Sequence, residues 1–176
     1  NIKIGIGRAG NVIGGGDWSE KRIIPDAMRS WSHKRPLVLK NPSSTRPWQH
    51  VLEPLGGYLR LAYILKMENK LHGEAFNFGP ASSENFTVLE VISEMSKDWD
   101  NVEWEVNKSK KEFSESGLLK LNCDKALYHL NWKPILEFSK TIKLTSDWYK
   151  EFYNGFDILK TTERQISEYN EIFMKK

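Results

Sequence analysis

The sequence predicts an α/β protein in which short strands alternate with amphipathic helices. Short apolar runs bounded by turn residues, such as Leu37–Leu39 and Ala75–Phe78, predict strands. Apolar residues that recur at helical spacing predict helices, most clearly through residues 51–65. Thr87 and Glu90 have the spacing of a capping box, which predicts that a helix begins there.

The same patterns place each element along the chain. Strands are predicted over residues 2–8, 37–39, 75–78 and 102–106. Helices are predicted over residues 23–31, 51–65, 88–95, 124–130 and 139–153, and a second capping box at residues 162–165 predicts the start of a terminal helix. Between them we predict an irregular glycine-rich segment at residues 9–20, a turn at residues 41–45 and a polar loop at residues 108–116.

Bulk composition excludes several classes of protein. Mean hydropathy is −0.56 and no long apolar run is present, which excludes a membrane span. A net charge of +3, evenly spread, is too mild to indicate a nucleic-acid partner. The single cysteine, Cys123, permits no internal disulfide, so we expect a cytoplasmic protein. Because the chain lacks an initiator Met and opens inside a predicted strand, we expect further sequence upstream; an open sheet without its neighbouring strands would expose apolar faces and an unpaired edge.

Metal and nucleophile chemistry find no support in the sequence. The four histidines lie far apart and show no metal-ligand spacing, so no metal is predicted. Cys123 has no motif around it and is interpreted as a small buried apolar residue. The chain contains neither a nucleophile elbow nor a phosphate-binding loop with its lysine.

Residues 5–10 match the pattern Gly-x-Gly-x-x-Gly, but we do not interpret them as a dinucleotide-binding fingerprint. That fingerprint needs a helix directly after the glycines, so that the helix N-terminus faces a pyrophosphate. Three consecutive glycines at residues 14–16 follow instead, and they cannot open a stable helix. Gly5 and Gly7 are therefore predicted to be small residues in a crowded strand.

Two other segments carry a more specific pattern. Residues 8–18 run Arg-Ala-Gly-Asn-Val-Ile-Gly-Gly-Gly-Asp-Trp, and residues 46–55 run Arg-Pro-Trp-Gln-His-Val-Leu-Glu-Pro-Leu. Together they resemble the extended short-chain dehydrogenase/reductase family, which commonly carries an Asn-x-x-Gly turn after its sixth sheet strand and later an Arg-Asp-aromatic-x-His-Val-x-Asp motif. Residues 77–80 and 119–134 resemble further patterns of that family, so the resemblance covers essentially the whole chain.

The resemblance implies a fold. Residues 1–176 would be the C-terminal portion of an NAD-dependent epimerase/dehydratase domain. In it, the last elements of an NAD(P)-binding Rossmann fold would interleave with a smaller mixed α/β lobe that binds a nucleotide sugar.

The resemblance also implies an activity. The Arg-Pro-Trp-Gln-His-Val-x-Glu-Pro variant is associated with family members that act on CDP-glucose. By resemblance, the intact enzyme would be a homodimeric lyase with a tightly held NAD. Hydride would leave the sugar C4, water would be lost across C5 and C6, and hydride would return to C6. The product would serve the synthesis of deoxysugars of the lipopolysaccharide O-antigen.

Site residues follow from the same motifs. The substrate-binding residues would be Asn11, Arg22, Ile24, Pro25, Arg46 and Asn77, and the cofactor-binding residues would be Arg8 and Ala9. The chemistry agrees, because Arg46 can bind a phosphate through a bidentate fork and Asn11 can donate an amide N–H. The positive end of the helix that begins near Arg22 would favour the same anion.

Structural interpretations of these motifs stay open. Asn11 also suits a simple turn, and Arg46 also suits an ion-paired surface position. Trp48 is compatible with the core, His50 is interpreted as structural, and Glu53 is interpreted as a carboxylate at a helix N-terminus.

The catalytic motif of the family is absent from the printed sequence. The family uses a tyrosine base followed four residues later by a lysine that lowers its pKa. None of the six tyrosines has this spacing, so we assign no catalytic residue and expect the pair to lie upstream. Two alternatives remain open: a sister enzyme that acts on a dTDP- or UDP-sugar, and a non-catalytic nucleotide-sugar-binding subunit.

Overall fold

The chain folds as a mixed α/β protein. The computed structural model describes residues 2–100, 102–106 and 119–175. Its strands are β1 (Ile6–Ala9), β2 (Asn11–Ile13), β3 (Leu37–Leu39), β4 (Thr45–Arg46), β5 (Trp48–His50), β6 (Ala75–Phe78), β7 (Phe86–Thr87) and β8 (Trp104–Val106). Its helices are α1 (Ile23–Ser32), α2 (Leu52–Met67), α3 (Val88–Ser96), α4 (Asp124–Leu130), α5 (Phe138–Tyr153) and α6 (Ile158–Lys175). Within the described ranges, no helix combines the length and apolar character needed to cross a membrane.

Among the described residues, the strands form four two-stranded pairings. β1 pairs with β6, β2 with β5 and β3 with β8, all in parallel, whereas β4 and β7 are antiparallel. The N–H of Gly10, between β1 and β2, donates to the Phe78 carbonyl at 3.3 Å. The buried side-chain amide of Gln49 in β5 donates to the same carbonyl at 2.8 Å. The carboxyl ends of β1 and β6 therefore lie beside the β2–β5 pair.

In the part of the chain that the structure describes, three apolar clusters hold these elements together. The largest packs α1, β3, α3 and α5, and includes the fully buried side chains of Met28 and Tyr149. The second packs α2, β6 and α4 around Phe76 and Phe78. The third joins α5 to α6 and includes Tyr169. Because α5 belongs to two clusters, the C-terminal helices are packed against the elements that contain the predicted substrate residues.

Helix α2 lies close against β1 and β6 because glycines remove the side chains between them. A Cβ at Gly57 would lie 2.3 Å from Cδ1 of Phe78, and one at Gly7 would lie 2.6 Å from Cε1 of Tyr58. Both distances are shorter than any real side-chain contact, so the helix could not keep this spacing with larger residues. The interpretation of Gly7 as a small residue in a crowded strand is confirmed.

One predicted capping box is confirmed and the other is wrong. The Glu90 N–H donates to Thr87 Oγ1 at 3.1 Å, and the Thr87 N–H donates to Glu90 Oε2 at 2.7 Å. The second box fails because α6 begins at Ile158 and Thr162 lies inside the helix. There the Thr162 hydroxyl donates to the Ile158 carbonyl at 2.8 Å and accepts the Trp148 indole N–H at 3.0 Å.

Strand predictions succeed where the sequence is apolar. The strands at residues 37–39 and 75–78 are confirmed, but the one predicted over residues 2–8 begins only at Ile6. Strand β2 lies within the segment that was predicted to be irregular, and β4 begins at Thr45, the last residue of the predicted turn. The polar loop predicted at residues 108–116 lies outside the described residues.

Large apolar side chains are exposed both at β1 and on α2. Ile4 and Ile6 are 55% and 50% exposed, and Leu59 and Tyr63 of α2 are 73% and 57% exposed. In the part of the chain that the structure describes, β1 pairs with β6 alone, so its other edge carries unpaired backbone groups. The expectation of an open sheet with exposed apolar faces is confirmed.

Candidate functional site

A cleft of about 590 Å³ lies where the glycine-rich segment, the start of α1 and the β3–β4 segment meet. Three parts of the chain supply most of its lining: residues 10–14, residues 21–26, and a wall made of Val38, Lys40, Asn41 and Arg46. Asp17, Trp48, Val88 and Tyr149 complete it. Five of the six predicted substrate residues line this cleft: Asn11, Arg22, Ile24, Pro25 and Arg46.

Asn11 and Arg46 come together through the pairing of β2 with β5. The Asn11 N–H donates to the Pro47 carbonyl at 3.0 Å, and Asn11 is the register partner of Trp48. Arg46 directly precedes Pro47, and its Nη1 donates to the Thr45 carbonyl at 2.8 Å. Both side chains are half-buried at the cleft, although they are far apart in the sequence.

Helix α1 presents its N-terminus to the cleft. Arg22 is the N-cap residue, and its own side chain makes no capping hydrogen bond to the first turn. Ile24 and Pro25 in that turn are buried and form part of the cleft lining. The partial positive charge of a helix N-terminus and the Arg22 guanidinium both favour a bound anion here.

Basic side chains dominate the charge of the cleft. Four basic residues line it, Lys21, Arg22, Lys40 and Arg46, against two acidic residues, Asp17 and Asp26. Asp26 is paired with Arg29. Lys21 has a φ of 63°, in the left-handed region that few residues with a side chain adopt. The excess of cations suits a diphosphate.

Asp17 is the counter-ion of Arg22. Its Oδ2 lies 3.3 Å from Nη1 of Arg22, and its Oδ1 accepts the Ser19 N–H at 2.9 Å. Burial acts to raise the pKa of Asp17, but the hydrogen bonds from Ser19 and the charge of Arg22 outweigh it and bring the pKa below its ordinary value. Asp17 is therefore ionised at neutral pH.

Tyr149 of α5 contacts the cleft from the C-terminal part of the chain. Its hydroxyl donates to the Asp17 backbone carbonyl at 2.6 Å. Its ring packs edge-on against Trp18, with 5.4 Å between the ring centroids. Burial raises the pKa of Tyr149 well above its usual range, so the hydroxyl stays protonated and remains a donor.

The remaining predicted site residues lie together at another place. Arg8 and Asn77 are register partners near the carboxyl end of the β1–β6 pair, and Ala9 pairs there with Phe78. The Asn77 side-chain amide donates to the Asn122 carbonyl at 3.0 Å, and Asn77 is not among the residues that line the cleft. The structure thus divides the predicted residues into a cleft group and an edge group. The roles of all these residues stay predictions.

The Gly-x-Gly-x-x-Gly pattern does not form a cradle for a pyrophosphate. A Cβ at Gly5 would lie 2.7 Å from Leu65 Cδ1, and one at Gly10 would lie 2.7 Å from the Pro47 carbonyl oxygen. These glycines therefore face protein atoms, and β2 follows them rather than a helix. The predicted crowding at Gly5 is confirmed, but its place in a strand is not, because β1 begins at Ile6.

Two residues of the second motif are parts of the buried interior. His50 is 1% exposed, and burial lowers its pKa to about 4, so it is neutral at pH 7. Glu53 is 1% exposed and lies in the first turn of α2, but its Oε1 accepts the N–H groups of Ile135 at 2.7 Å and Leu136 at 2.6 Å. The interpretation of Glu53 as a helix N-terminal carboxylate was incomplete, because the carboxylate also binds a distant segment.

Sequence reasoning did not identify several residues of the cleft, among them Lys21, Val38, Lys40 and Tyr149. Strand alternation could have indicated Val38 and Lys40, since Leu37 and Leu39 are buried and their neighbours face the other way. No local pattern indicates Tyr149, because α5 meets the glycine-rich segment only in the folded chain.

Solved structures that superpose on this chain include a UDP-sugar epimerase and a dTDP-sugar dehydratase. The UDP-glucuronic acid 4-epimerase of Bacillus cereus, in complex with UDP-glucuronic acid and NAD, superposes with a TM-score of 0.72 at 21% identity, over 86% of this chain and 46% of that chain. The dTDP-glucose 4,6-dehydratase of Bacillus anthracis, in complex with NAD, superposes with a TM-score of 0.66 at 18% identity, over 86% of this chain and 46% of that chain. The predicted fold class is confirmed: the chain has part of the Rossmann-type epimerase/dehydratase fold.

The sequence comparison is more specific. The chain is 40% identical to the CDP-glucose 4,6-dehydratase of Salmonella typhimurium over 163 residues, which are 92% of this chain and 45% of that protein. No family model matches the chain. The chain spans about half the length of the curated relatives it matches. Together with the fold, this identity shows that the chain is similar to one part of the nucleotide-sugar dehydratases and epimerases, as its resemblance to the extended short-chain dehydrogenase/reductase family implies.

Proposed function

We propose that this chain is the nucleotide-sugar-binding part of a CDP-glucose 4,6-dehydratase, a lyase that converts CDP-glucose to CDP-4-keto-6-deoxyglucose and water. The observation that carries the proposal is the 40% identity to the Salmonella dehydratase over 92% of this chain. The cleft supports it, because five predicted substrate residues line one basic cavity of about 590 Å³, a volume typical of small-molecule sites.

The cleft would bind the diphosphate of the substrate. Arg46 offers a planar fork of N–H donors that matches two phosphate oxygens. Arg22 adds a second cation at the start of α1, where the helix N-terminus favours the same charge. Asn11 would donate its amide N–H to a phosphate oxygen or a sugar hydroxyl. Because these groups come from three different elements, they would fix both the position and the orientation of the nucleotide sugar.

NAD is the proposed cofactor, and when bound it would supply the redox chemistry on the sugar. Arg8 and Ala9 fit the nicotinamide side, because they lie towards the carboxyl end of the parallel β1–β6 pair, where open α/β sheets bind their ligands. Asn77, beside Arg8 at the same edge, is proposed to approach the substrate diphosphate. The glycines of residues 5–10 are packed against protein, so other residues would hold the cofactor pyrophosphate.

Proton transfer is proposed to depend on residues outside these 176. None of the six tyrosines is followed by lysine four residues later. In our proposal these residues alone bind the nucleotide sugar, bind NAD poorly and do not dehydrate the substrate. The intact protein is proposed to be a cytoplasmic homodimer whose product feeds the synthesis of lipopolysaccharide O-antigen deoxysugars; the family resemblance supports the dimer and the pathway, and the single cysteine supports the compartment.

A sister activity is the second candidate. The Bacillus cereus UDP-glucuronic acid 4-epimerase superposes with a higher TM-score, 0.72, than the Bacillus anthracis dehydratase, 0.66. The fold therefore accommodates UDP-sugar epimerases at least as well as dehydratases. Sequence identity favours the dehydratase, since the Salmonella enzyme is 40% identical and the epimerase 21%.

Titration calorimetry of the 176-residue chain with CDP-glucose, dTDP-glucose and UDP-glucose tests the proposal. We expect CDP-glucose to bind about tenfold or more tightly than the other two, a difference of about 1.4 kcal/mol. Equal or tighter binding of UDP-glucose would favour the sister activity, and binding of none of the three would overturn both. Recovery of upstream sequence without Tyr-x-x-x-Lys would instead favour a non-catalytic binding subunit. Dehydration of CDP-glucose by these residues alone would refute the proposal that proton transfer depends on residues outside them.

A further inference from the structure

The glycine-rich segment between β2 and α1 is held by a helix from the other end of the chain. Trp148 of α5 lies against Gly15, where a Cβ would come within 2.0 Å of its ring. The next residue, Tyr149, donates its hydroxyl to the Asp17 carbonyl at 2.6 Å across 132 positions of sequence. Gly16, which lies between Gly15 and Asp17, has a φ of +80°, which few other residues could adopt. Both the close contact and the turn thus depend on glycine, which lets this segment reach α5.

Asp17 connects the hydroxyl of Tyr149 to Arg22, a cation that lines the cleft. The Asp17 backbone is held by Tyr149, and the Asp17 carboxylate bonds the Ser19 N–H and lies 3.3 Å from Arg22 Nη1. On the other side, Arg29 of α1 donates to the carbonyls of Trp18 at 3.0 Å and Ser19 at 3.3 Å. The position of the Asp17 carboxylate is therefore set by two helices.

The exposed side chain of Arg22 would bind a ligand better if a neighbouring group restrained it. Its side chain is 63% exposed, and a long exposed side chain loses conformational freedom when it binds a ligand. An ionised partner that already restrains the guanidinium lowers that loss. The hydrogen bond to Asp17 is made by Nη1, and the guanidinium has further N–H donors with which it can bind a ligand.

We propose that Tyr149 is a positioning residue for the nucleotide diphosphate: its hydroxyl fixes Asp17, and the Asp17 carboxylate holds the Arg22 guanidinium at the cleft. The inference rests on the proposed function and extends it, because it makes the C-terminal helix α5 part of the ligand-binding apparatus. Tyr149 does not perform chemistry in this arrangement. It acts on the ligand through Asp17 and Arg22.

Amide hydrogen exchange on the 176-residue chain tests the anchoring without any ligand. Tyr149→Phe removes the hydroxyl and keeps the ring, so the apolar packing around Trp18 is preserved. We expect exchange at residues 17–22 to become several-fold faster. Ser146→Ala is the matched control: Ser146 is buried on the same helix, but it accepts a hydrogen bond from Trp99 at 3.1 Å instead of contacting the segment. Unchanged exchange in Tyr149→Phe, or equal acceleration in Ser146→Ala, would overturn the proposal.

Calorimetric titration with CDP tests the route through Arg22. We expect Tyr149→Phe to raise Kd about three- to tenfold, the effect of one hydrogen bond, while Ser146→Ala leaves Kd unchanged. In an Arg22→Ala background, Tyr149→Phe should change Kd less than twofold, since its target is gone. Equal effects of Tyr149→Phe in both backgrounds would mean that Tyr149 acts by another route and would overturn the assignment.

The two measurements separate this inference from the proposed function. If the unmodified chain binds no CDP but binds another nucleoside diphosphate, the proposed substrate fails and the same double-mutant comparison is made with that ligand. If it binds no nucleotide at all, the proposed function fails, and the exchange comparison alone decides whether Tyr149 anchors residues 17–22.

Discussion

The hydroxyl of Tyr169 donates to Oε2 of Glu53 at 3.1 Å inside the protein, and this bond joins the last helix to the first turn of α2. The other carboxylate oxygen of Glu53 accepts the backbone N–H groups of Ile135 and Leu136. Burying a carboxylate is costly unless donors replace its water, and these three groups do so. Glu53 therefore links α2 to two separate parts of the C-terminal region.

Replacing Glu53 should destabilise the fold strongly. Glu53→Gln exchanges one acceptor oxygen for an N–H₂ group that faces a donor, so at least one buried group loses its partner. We expect the free energy of unfolding to fall by roughly 2–5 kcal/mol, as measured by urea denaturation. The control is Glu68→Gln, whose carboxylate is exposed and paired with Lys70 at the surface, and which should cost less than about 1 kcal/mol. Equal losses in the two variants would contradict the role of Glu53.

His50 should make the protein less stable in mild acid. Burial lowers its pKa from 6.5 to about 4 in the folded chain. Between these pH values the unfolded chain binds a proton that the folded chain does not, so stability rises with pH in this window and is lost as pH falls. The slope contributed by His50 is about 1.4 kcal/mol per pH unit.

Urea denaturation of the unmodified chain and of His50→Gln, at pH 7, 6 and 5, isolates this contribution. The glutamine cannot titrate, so the difference between the two unfolding free energies should shift in favour of the variant as pH falls. A difference that stays constant from pH 7 to pH 5 would show that His50 is not held neutral by burial.

Arg46 should contribute more to nucleotide binding than its charge alone explains. We expect Arg46→Ala to weaken CDP binding about 10- to 100-fold, the range for a charge-assisted hydrogen bond. Arg46→Lys should restore only part of the loss, because an ammonium cannot form the bidentate fork. The control is Arg35→Ala, an exposed arginine outside the cleft lining, which should bind CDP normally. If Arg46→Lys binds as well as the unmodified chain, the fork is not used.

The edge of β1 should make the 176-residue chain self-associate. Ile4 and Ile6 are exposed beside backbone groups of β1 that have no strand partner among the described residues. We expect Ile6→Lys to lower the apparent mass in light scattering at high protein concentration, because a charge opposes edge-to-edge pairing. Leu159→Lys is the control, since Leu159 is 68% exposed and belongs to α6 rather than to a strand. Association that responds equally to both changes would indicate general apolar contact.

Helices were the most predictable part of this fold. Five helices lie within one or two residues of their expected bounds, because an amphipathic stripe is a local property that packing preserves. The start of α6 was missed, because Thr162 has the residue type of a cap but its hydroxyl accepts the Trp148 indole N–H inside the helix. The short strands β2, β4, β5 and β7 were missed, since their pairing with distant segments stabilises them more than any local pattern.

The candidate site was predictable only as a set of residue types. The motifs around Asn11 and Arg46, and the helix start at Arg22, follow from consecutive residues, so the sequence indicates them directly. The placement of Asn77 at the β1–β6 edge, outside the cleft lining, follows from the packing of the whole chain.

The tertiary structure alone brings Tyr149 to Asp17 and Glu53 to Ile135, across 132 and 82 positions of sequence. Residue type and spacing determine which local element forms, because backbone propensity and side-chain periodicity act over a few residues. Contacts between segments that far apart depend on how all the apolar faces pack at once, and no short stretch of sequence contains that information.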